Sequence, residues 1–270
     1  MNQMLYTPVV DFHAHVYPRH IAERATTSLS RYTGFPTAGR GTIDHLLSRG
    51  REAGIRYFVL NSVATTAHQV SSINTFLAAT VAANGNCYGL GTLHPGLTDE
   101  ELDHEINRMI SLGLRGVKLH PDNQRINADD PSMMRIYERL EGRLPVLMHC
   151  GDYRTDYSHP RRVAAVLDAF PKLTLVAAHF GGWSLFDYAL EYLEDRNCYL
   201  DVSSTFPFVG PRRSRELIRI YGAERILFGS DYPVYDPVKA MEEFILLDLT
   251  DAENRLILYG NAMKILGEGC

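Results

Sequence analysis

The sequence predicts a (β/α)8 barrel, on three observations. Short apolar or β-branched runs alternate with longer helical patterns, the starts of these runs recur about every 25 to 30 residues, and side chains able to hold metal or move protons end most of them. In order, the strand candidates are Val9 to His15, Tyr57 to Ser62, Tyr88 to Leu93, Gly116 to His120, Val146 to Cys150, Thr174 to His179, Tyr199 to Ser203 and Ile226 to Asp231. Between them lie helical patterns such as Asp99 to Ser111, opened by Thr98, and Arg161 to Ala169, where Val163, Val166 and Leu167 recur at helical spacing. The Gly- and Pro-rich stretch from Arg31 to Gly41 interrupts the first unit and reads as a loop over the strand ends.

Near-continuous apolar strands alternating with helices imply a parallel sheet covered on its outside. An open doubly wound sheet would show the same alternation. The polar residues favour the barrel: His15, His94, His120, His149, His179 and Asp231 each end a different predicted strand, and barrel active sites assemble at that end.

A length of 270 residues suits one barrel domain over residues 1–270. The chain is 45% hydrophobic and 22% charged with a net charge of −5, too mild a balance to favour nucleic acid or an anionic membrane, so a small molecule is the expected partner. Cys87, Cys150, Cys198 and Cys270 form no C-x-x-C pair, which suits packing thiols in a reduced, cytoplasmic compartment. The N-terminal stretch MNQMLYTPVVDFHAH lacks a basic region followed by a long apolar one, and no segment approaches the roughly 20 apolar residues that span a bilayer. Oligomeric state is open.

The strongest local signal is Val9-Val10-Asp11-Phe12-His13-Ala14-His15. Two histidines two apart on a strand project from one face, so both imidazoles can reach one metal, and Asp11 on that face can hydrogen-bond a neighbour. Alone, such a pair reads at least as well as core or solvated histidines. Three later strand ends change the balance: His149 in Val146-Leu147-Met148-His149, His179 in Ala177-Ala178-His179, and Asp231 in Phe228-Gly229-Ser230-Asp231. Three or four nitrogen and oxygen donors with one open position describe a catalytic zinc site better than a closed structural one.

Histidines two apart on strand one, histidines ending strands five and six, and Ser230-Asp231-Tyr232-Pro233 at strand eight resemble the amidohydrolase superfamily. Gly116-Val117-Lys118-Leu119-His120-Pro121, His179-Phe180-Gly181-Gly182 and Gly260-Asn261-Ala262 look like the branch that includes aminocarboxymuconate semialdehyde decarboxylase and many metal-dependent hydrolases. The resemblance implies one divalent cation, with Zn2+ the expected ion, held by His13, His15, His149 and Asp231. It also implies that His179 is the catalytic histidine that polarises substrate or shuttles a proton. In binuclear members a strand-four lysine is carboxylated and bridges two metals. Lys118 lies on that strand, and its other reading, an ammonium that pairs with a carboxylate or steers an anionic substrate, is the favoured one here.

Arg154 follows strand five and can clamp a substrate carboxylate, although a solvated loop arginine is the blander expectation. His94 and His120 precede prolines and stand between supporting a ligand and touching substrate. Ser203, Ser204 and Thr205 read as loop polar groups, and no G-x-S-x-G elbow points to a serine nucleophile. The expected reaction is hydrolysis of an amide, lactone or related ester-like bond by activated water, with Asp231 carrying the proton. The alternative within enzymes is non-oxidative decarboxylation or a hydratase-type lyase reaction. A TatD-type phosphodiesterase fits less well, because it generally uses a bridging Glu on a middle strand where this chain offers Lys118 and His120. A barrel without activity would have lost ligand types that are all present here.

Overall fold

The computed structural model describes residues 7–268, so Cys270 lies outside the described residues. Eight strands are observed: β1 (Val10–His15), β2 (Tyr57–Asn61), β3 (Cys87–Thr92), β4 (Gly116–Leu119), β5 (Val146–Met148), β6 (Leu175–Ala177), β7 (Tyr199–Asp201) and β8 (Ile226–Leu227). They form one sheet in the order β1 to β8, with helices between successive strands, the plan of a (β/α)8 barrel.

All eight predicted strands exist, but most end earlier than the sequence suggests. The predicted β5 through Cys150, β6 through His179, β7 through Ser203 and β8 through Asp231 stop at Met148, Ala177, Asp201 and Leu227. Apolarity continues past the sheet ladder, since Cys150, Val202 and Phe228 are buried beyond their strands, whereas the backbone turns away to present functional side chains. His179, Ser204 and Asp231 have φ of 61°, 52° and 62°, the left-handed region that residues with a Cβ seldom occupy.

The chain divides into two compact units, Met1–Asn61 with Asn84–Tyr88 and Val202–Cys270, and Ser62–Ala83 with Gly89–Asp201. In the first unit β1 and β2 run parallel with an irregularity between Asp11 and Ala14, after which His15 pairs with Asn61. The end of β8 returns to β1: Phe12 N–H donates to Phe228 O (2.9 Å), Asp231 N–H to His13 O (2.7 Å) and His15 N–H to Tyr232 O (2.6 Å). A Cβ at Gly229 would lie 2.8 Å from His13 Cβ, so glycine there lets β1 and the chain after β8 close up. On the outer side, Phe58 presses against Gly50 of the helix Ile43–Glu52, and the Arg49 fork of that helix pairs with Asp236.

The helix Arg19–Thr33 takes the first three residues of the predicted loop from Arg31 to Gly41, because their turn closes on Gly34 in the left-handed region. The rest of that loop covers a strand end as expected: Ala38 and Gly39 N–H donate to the carbonyls of Val234 and Pro233 (3.4 and 3.0 Å), and Gly41 N–H donates to Tyr232 Oη (3.1 Å).

In the second unit β4, β5, β6 and β7 pair in parallel, in sequence order. The helix Asp99–Ser111 opens with the Thr98/Glu101 capping box and buries Leu102, Ile106 and Met109. The helix Pro160–Ala169 buries Val163, Val166 and Leu167, as their spacing predicts. Asn74, fully buried, matches the edge of β3 twice, donating to Thr92 O (3.0 Å) and accepting from Thr92 N–H (2.7 Å). Gly151 has φ of 78° and would place a Cβ 2.5 Å from Gly182 Cα, so only glycine allows the chains leaving β5 and β6 to touch. No helix among the described residues is long and apolar enough to cross a membrane.

Candidate functional site

The first unit gathers His13, His15 and Asp231. His13 Nε2 and His15 Nε2 are 3.2 Å apart, and they lie 3.5 and 3.4 Å from the same atom, Asp231 Oδ1. Four tetrahedral donors around an ion bound at about 2.0 to 2.1 Å would lie about 3.3 to 3.4 Å from one another. The three separations therefore match the spacing of ligands around one small divalent ion. His13 is wholly buried and His15 and Asp231 are each 7% exposed, so three lone pairs converging there would be satisfied together by a cation.

Neighbouring side chains fix the orientation of each donor. Ser203 Oγ lies 3.0 Å from His13 Nδ1, and when His13 Nδ1–H donates to that oxygen the Nε2 lone pair is left for metal. Ser204 Oγ–H donates to Asp231 Oδ2 at 2.6 Å, leaving Oδ1 toward the histidines. Asp11, predicted only to bond a neighbour, accepts from His13 N–H (3.2 Å), Ser230 N–H (2.9 Å) and Ser230 Oγ–H (2.5 Å). Ser203 and Ser204, loop polar groups by sequence, thus brace two of the donors, and Tyr17 carries no signal in the sequence that marks it as a neighbour of Asp231. Burial, with the Asp231 charge beside it, pushes the Tyr17 phenol well above its usual range, so it is a neutral hydroxyl at neutral pH.

The second unit holds the other predicted residues. His149 Nδ1 lies 3.1 Å from His179 Nε2, and His179 N–H donates to Asp201 Oδ1 (3.0 Å). His120 stacks on His149 with ring centroids 3.9 Å apart and planes 9° from parallel. Gln124 braces His120, accepting its N–H at 3.4 Å while donating to the Ala64 and Leu93 carbonyls (3.1 and 2.8 Å). Asp122 accepts hydroxyl hydrogen bonds from Thr155 and Ser158 and lies 3.9 Å from His149 Nε2. Burial raises the Asp122 carboxyl above its usual range, and the Asp152 charge adds to the rise while the two hydroxyls oppose it.

His120, Asp122 and His149 are thus a second group with donor atoms close enough to share an ion. Ring geometry argues against it. An imidazole binds metal in its own plane, and two near-parallel rings stacked face to face cannot both direct in-plane lone pairs at one point. His120 thus lies against the face of His149 as a stacked ring.

Lys118, on β4, has no exposed surface, and a buried ammonium is stable only when paired. Arg154 gives its Nε and Nη2 to the two oxygens of Asp152 (2.8 and 2.7 Å) and lies 5.4 Å over the Trp183 ring. The predicted clamp is therefore already engaged with a carboxylate of this chain, which fixes the guanidinium plane.

The amidohydrolase family description matches residues 10–267, nearly the whole chain. The chain belongs to that family. It is an enzyme of the amidohydrolase superfamily, which spans hydrolases and decarboxylases. A search of curated proteins found no match. Among solved structures, an uncharacterized TIM-barrel protein from Bordetella bronchiseptica is similar over 97% of this chain and 99% of its own (23% identity, TM-score 0.77). A dihydroxybenzoic acid decarboxylase from Polaromonas sp., with bound manganese and the inhibitor 2-nitroresorcinol, is similar over 97% of each chain (16% identity, TM-score 0.73). A putative 2-pyrone-4,6-dicarboxylic acid hydrolase from Pseudomonas putida is similar over 98% of this chain and 99% of its own (20% identity, TM-score 0.67). At these identities the likeness shows the fold, and the amidohydrolase carries it over almost its full length.

Proposed function

We propose that this amidohydrolase is a metal-dependent hydrolase of an amide, lactone or related ester-like bond in a small anionic molecule. The observation that carries the reading is the convergence of His13 Nε2, His15 Nε2 and Asp231 Oδ1 at ligand spacing. His149 is the fourth ligand on the strength of its strand-five motif, and zinc the expected ion, since two or three imidazoles with one carboxylate suit it. A divalent cation there would supply Lewis acidity toward a carbonyl and toward water.

The chain's own residues supply the rest. Asp231 accepts the proton of the attacking water at its carboxylate and returns it to the leaving group, so no net proton is consumed in transfer. If His149 uses Nε2 as a ligand, its Nδ1–H donates to His179 Nε2, which fixes the His179 ring beside the proposed ligand; His179 takes the role its motif suggests, polarising substrate or shuttling a proton. Lys118, Arg154 and His120 are the proposed substrate-binding residues. Arg154 enters this role with its guanidinium plane fixed by the fork on Asp152, whose carboxylate already offsets part of its charge. The match over residues 10–267 supports a single domain, and the buried thiols of Cys87, Cys150 and Cys198 support the expected cytoplasmic setting.

Decarboxylation of a small carboxylic acid is the second reading, supported by the manganese-containing decarboxylase among the structural neighbours. Metal analysis joined to a panel of lactones, amides and aromatic carboxylic acids separates the two. Acid release without carbon dioxide supports hydrolysis. Stoichiometric carbon dioxide from a carboxylic acid overturns it in favour of the second reading, and a metal-free protein overturns both.

A further inference from the structure

Ser203 and Ser204 are consecutive, yet their hydroxyls reach two different donors of the same cluster, His13 and Asp231. Successive side chains of an extended strand point to opposite faces, so an ordinary continuation of β7 could not do this. Ser204 adopts φ of 52°, and that left-handed turn brings its hydroxyl to the side of Ser203. The conformation is held around it: Val202 N–H donates to Leu227 O (3.1 Å) and Thr205 Oγ–H to Val202 O (2.7 Å).

A carboxylate that chelates an ion needs both oxygens turned toward it. At Asp231 one oxygen faces the two histidines and the other accepts the Ser204 hydroxyl at 2.6 Å, a short bond to a charged acceptor in a site that is 7% exposed at Asp231. Rotation of the carboxylate into a two-oxygen mode would break that bond.

We propose that Ser204 is a positioning residue that holds Asp231 to one-oxygen ligation and thereby biases the site toward ions content with few ligands, zinc above manganese. Zinc favours four donors, whereas manganese favours six oxygen-rich ones and gains from a second carboxylate oxygen. The inference rests on the metal reading of His13, His15 and Asp231.

The test uses metal-free full-length protein, its Ser204→Ala form and its Ser204→Gly form. Glycine suits the left-handed backbone, so it removes the hydroxyl without backbone strain and keeps a folded comparison if alanine fails to fold. Zinc and manganese affinities are measured by competition with a chelator, and the cobalt(II) form is examined by visible absorption. Both variants are expected to lose about 10- to 100-fold in zinc affinity, the usual effect of removing a ligand's hydrogen-bond partner, with a smaller loss for manganese. The zinc-to-manganese ratio falls, and the cobalt band weakens as coordination number rises. Zinc affinity and cobalt spectrum unchanged in Ser204→Gly overturn the proposal while leaving the metal site standing. A parent protein that takes up no zinc, cobalt or manganese overturns the metal reading and this inference with it.

Discussion

Asp11 and Ser230 are joined twice, the Asp11 carboxylate accepting both the backbone N–H and the hydroxyl of Ser230 at 2.9 and 2.5 Å. Asp11 lies on β1 and Ser230 just before Asp231, so the pair ties the histidine strand to the segment that carries the carboxylate ligand. Replacing Asp11 by Asn keeps the size, but its amide nitrogen cannot accept, and one donor of Ser230 or His13 is left buried and unmet. Urea denaturation of metal-free Asp11→Asn is expected to show a loss of about 1 to 3 kcal/mol. Unchanged stability would show that the tie carries no load.

The double variant His13→Ala, His15→Ala is expected to bind no stoichiometric metal, since two of the three converging donors disappear together. Apolar contacts around Val10, Phe12 and Ala14 are untouched, so circular dichroism should report a folded protein. Full metal content in that variant, read by elemental analysis, would place the ion elsewhere.

Asp231→Asn and His149→Ala separate two roles. Asn tolerates the left-handed backbone at 231 and keeps an oxygen donor, so some metal is retained while turnover falls about 10²- to 10⁴-fold for want of a base. His149→Ala should lose metal affinity first and regain activity in excess metal. Near-normal turnover in Asp231→Asn would move the base to His179 or to the substrate.

Lys118→Met preserves bulk in a fully buried position and removes the charge. Metal content is expected to stay at the parent level while KM for an anionic substrate rises. Loss of a second metal equivalent, with an acid-labile carbon dioxide adduct in the parent's intact mass, would instead establish a bridging carboxylated lysine.

Asn61 ends β2 beside His15 in the register, is fully buried, and its amide oxygen and nitrogen find no hydrogen-bond partner among the described residues. Polar groups in that state cost stability, so Asn61→Leu, close in volume, is expected to leave the melting temperature unchanged or raise it. A drop of more than a few degrees would mean that the amide is satisfied in solution by bound water.

Existence and order of the strands are legible in apolar runs such as Val146-Leu147-Met148, which form a strand whatever surrounds them. Their ends are not, because Phe228 and Val202 are as apolar as true strand residues and still bond a neighbouring strand through their backbones. His13 and His15 are readable from a spacing of two, which a strand turns into a common face. Ser203 and Ser204 are not, since their partners lie far away in sequence and nothing local distinguishes a positioning hydroxyl from a turn hydroxyl. Asn61 gives a faint signal, an amide closing an otherwise apolar strand.

His179, Ser204 and Asp231 share one more property, a left-handed backbone that glycine would adopt without strain. Each costs on the order of 1 to 2 kcal/mol relative to a relaxed residue. Selection for folding alone would drift toward glycine at all three positions, and a chain relieved of its chemistry would gain thermal stability by doing so. At these three of the seven described non-glycine positions with positive φ, an imidazole, a hydroxyl and a carboxylate stand where glycine would be free of strain, so the proposed site is held partly at the expense of the backbone.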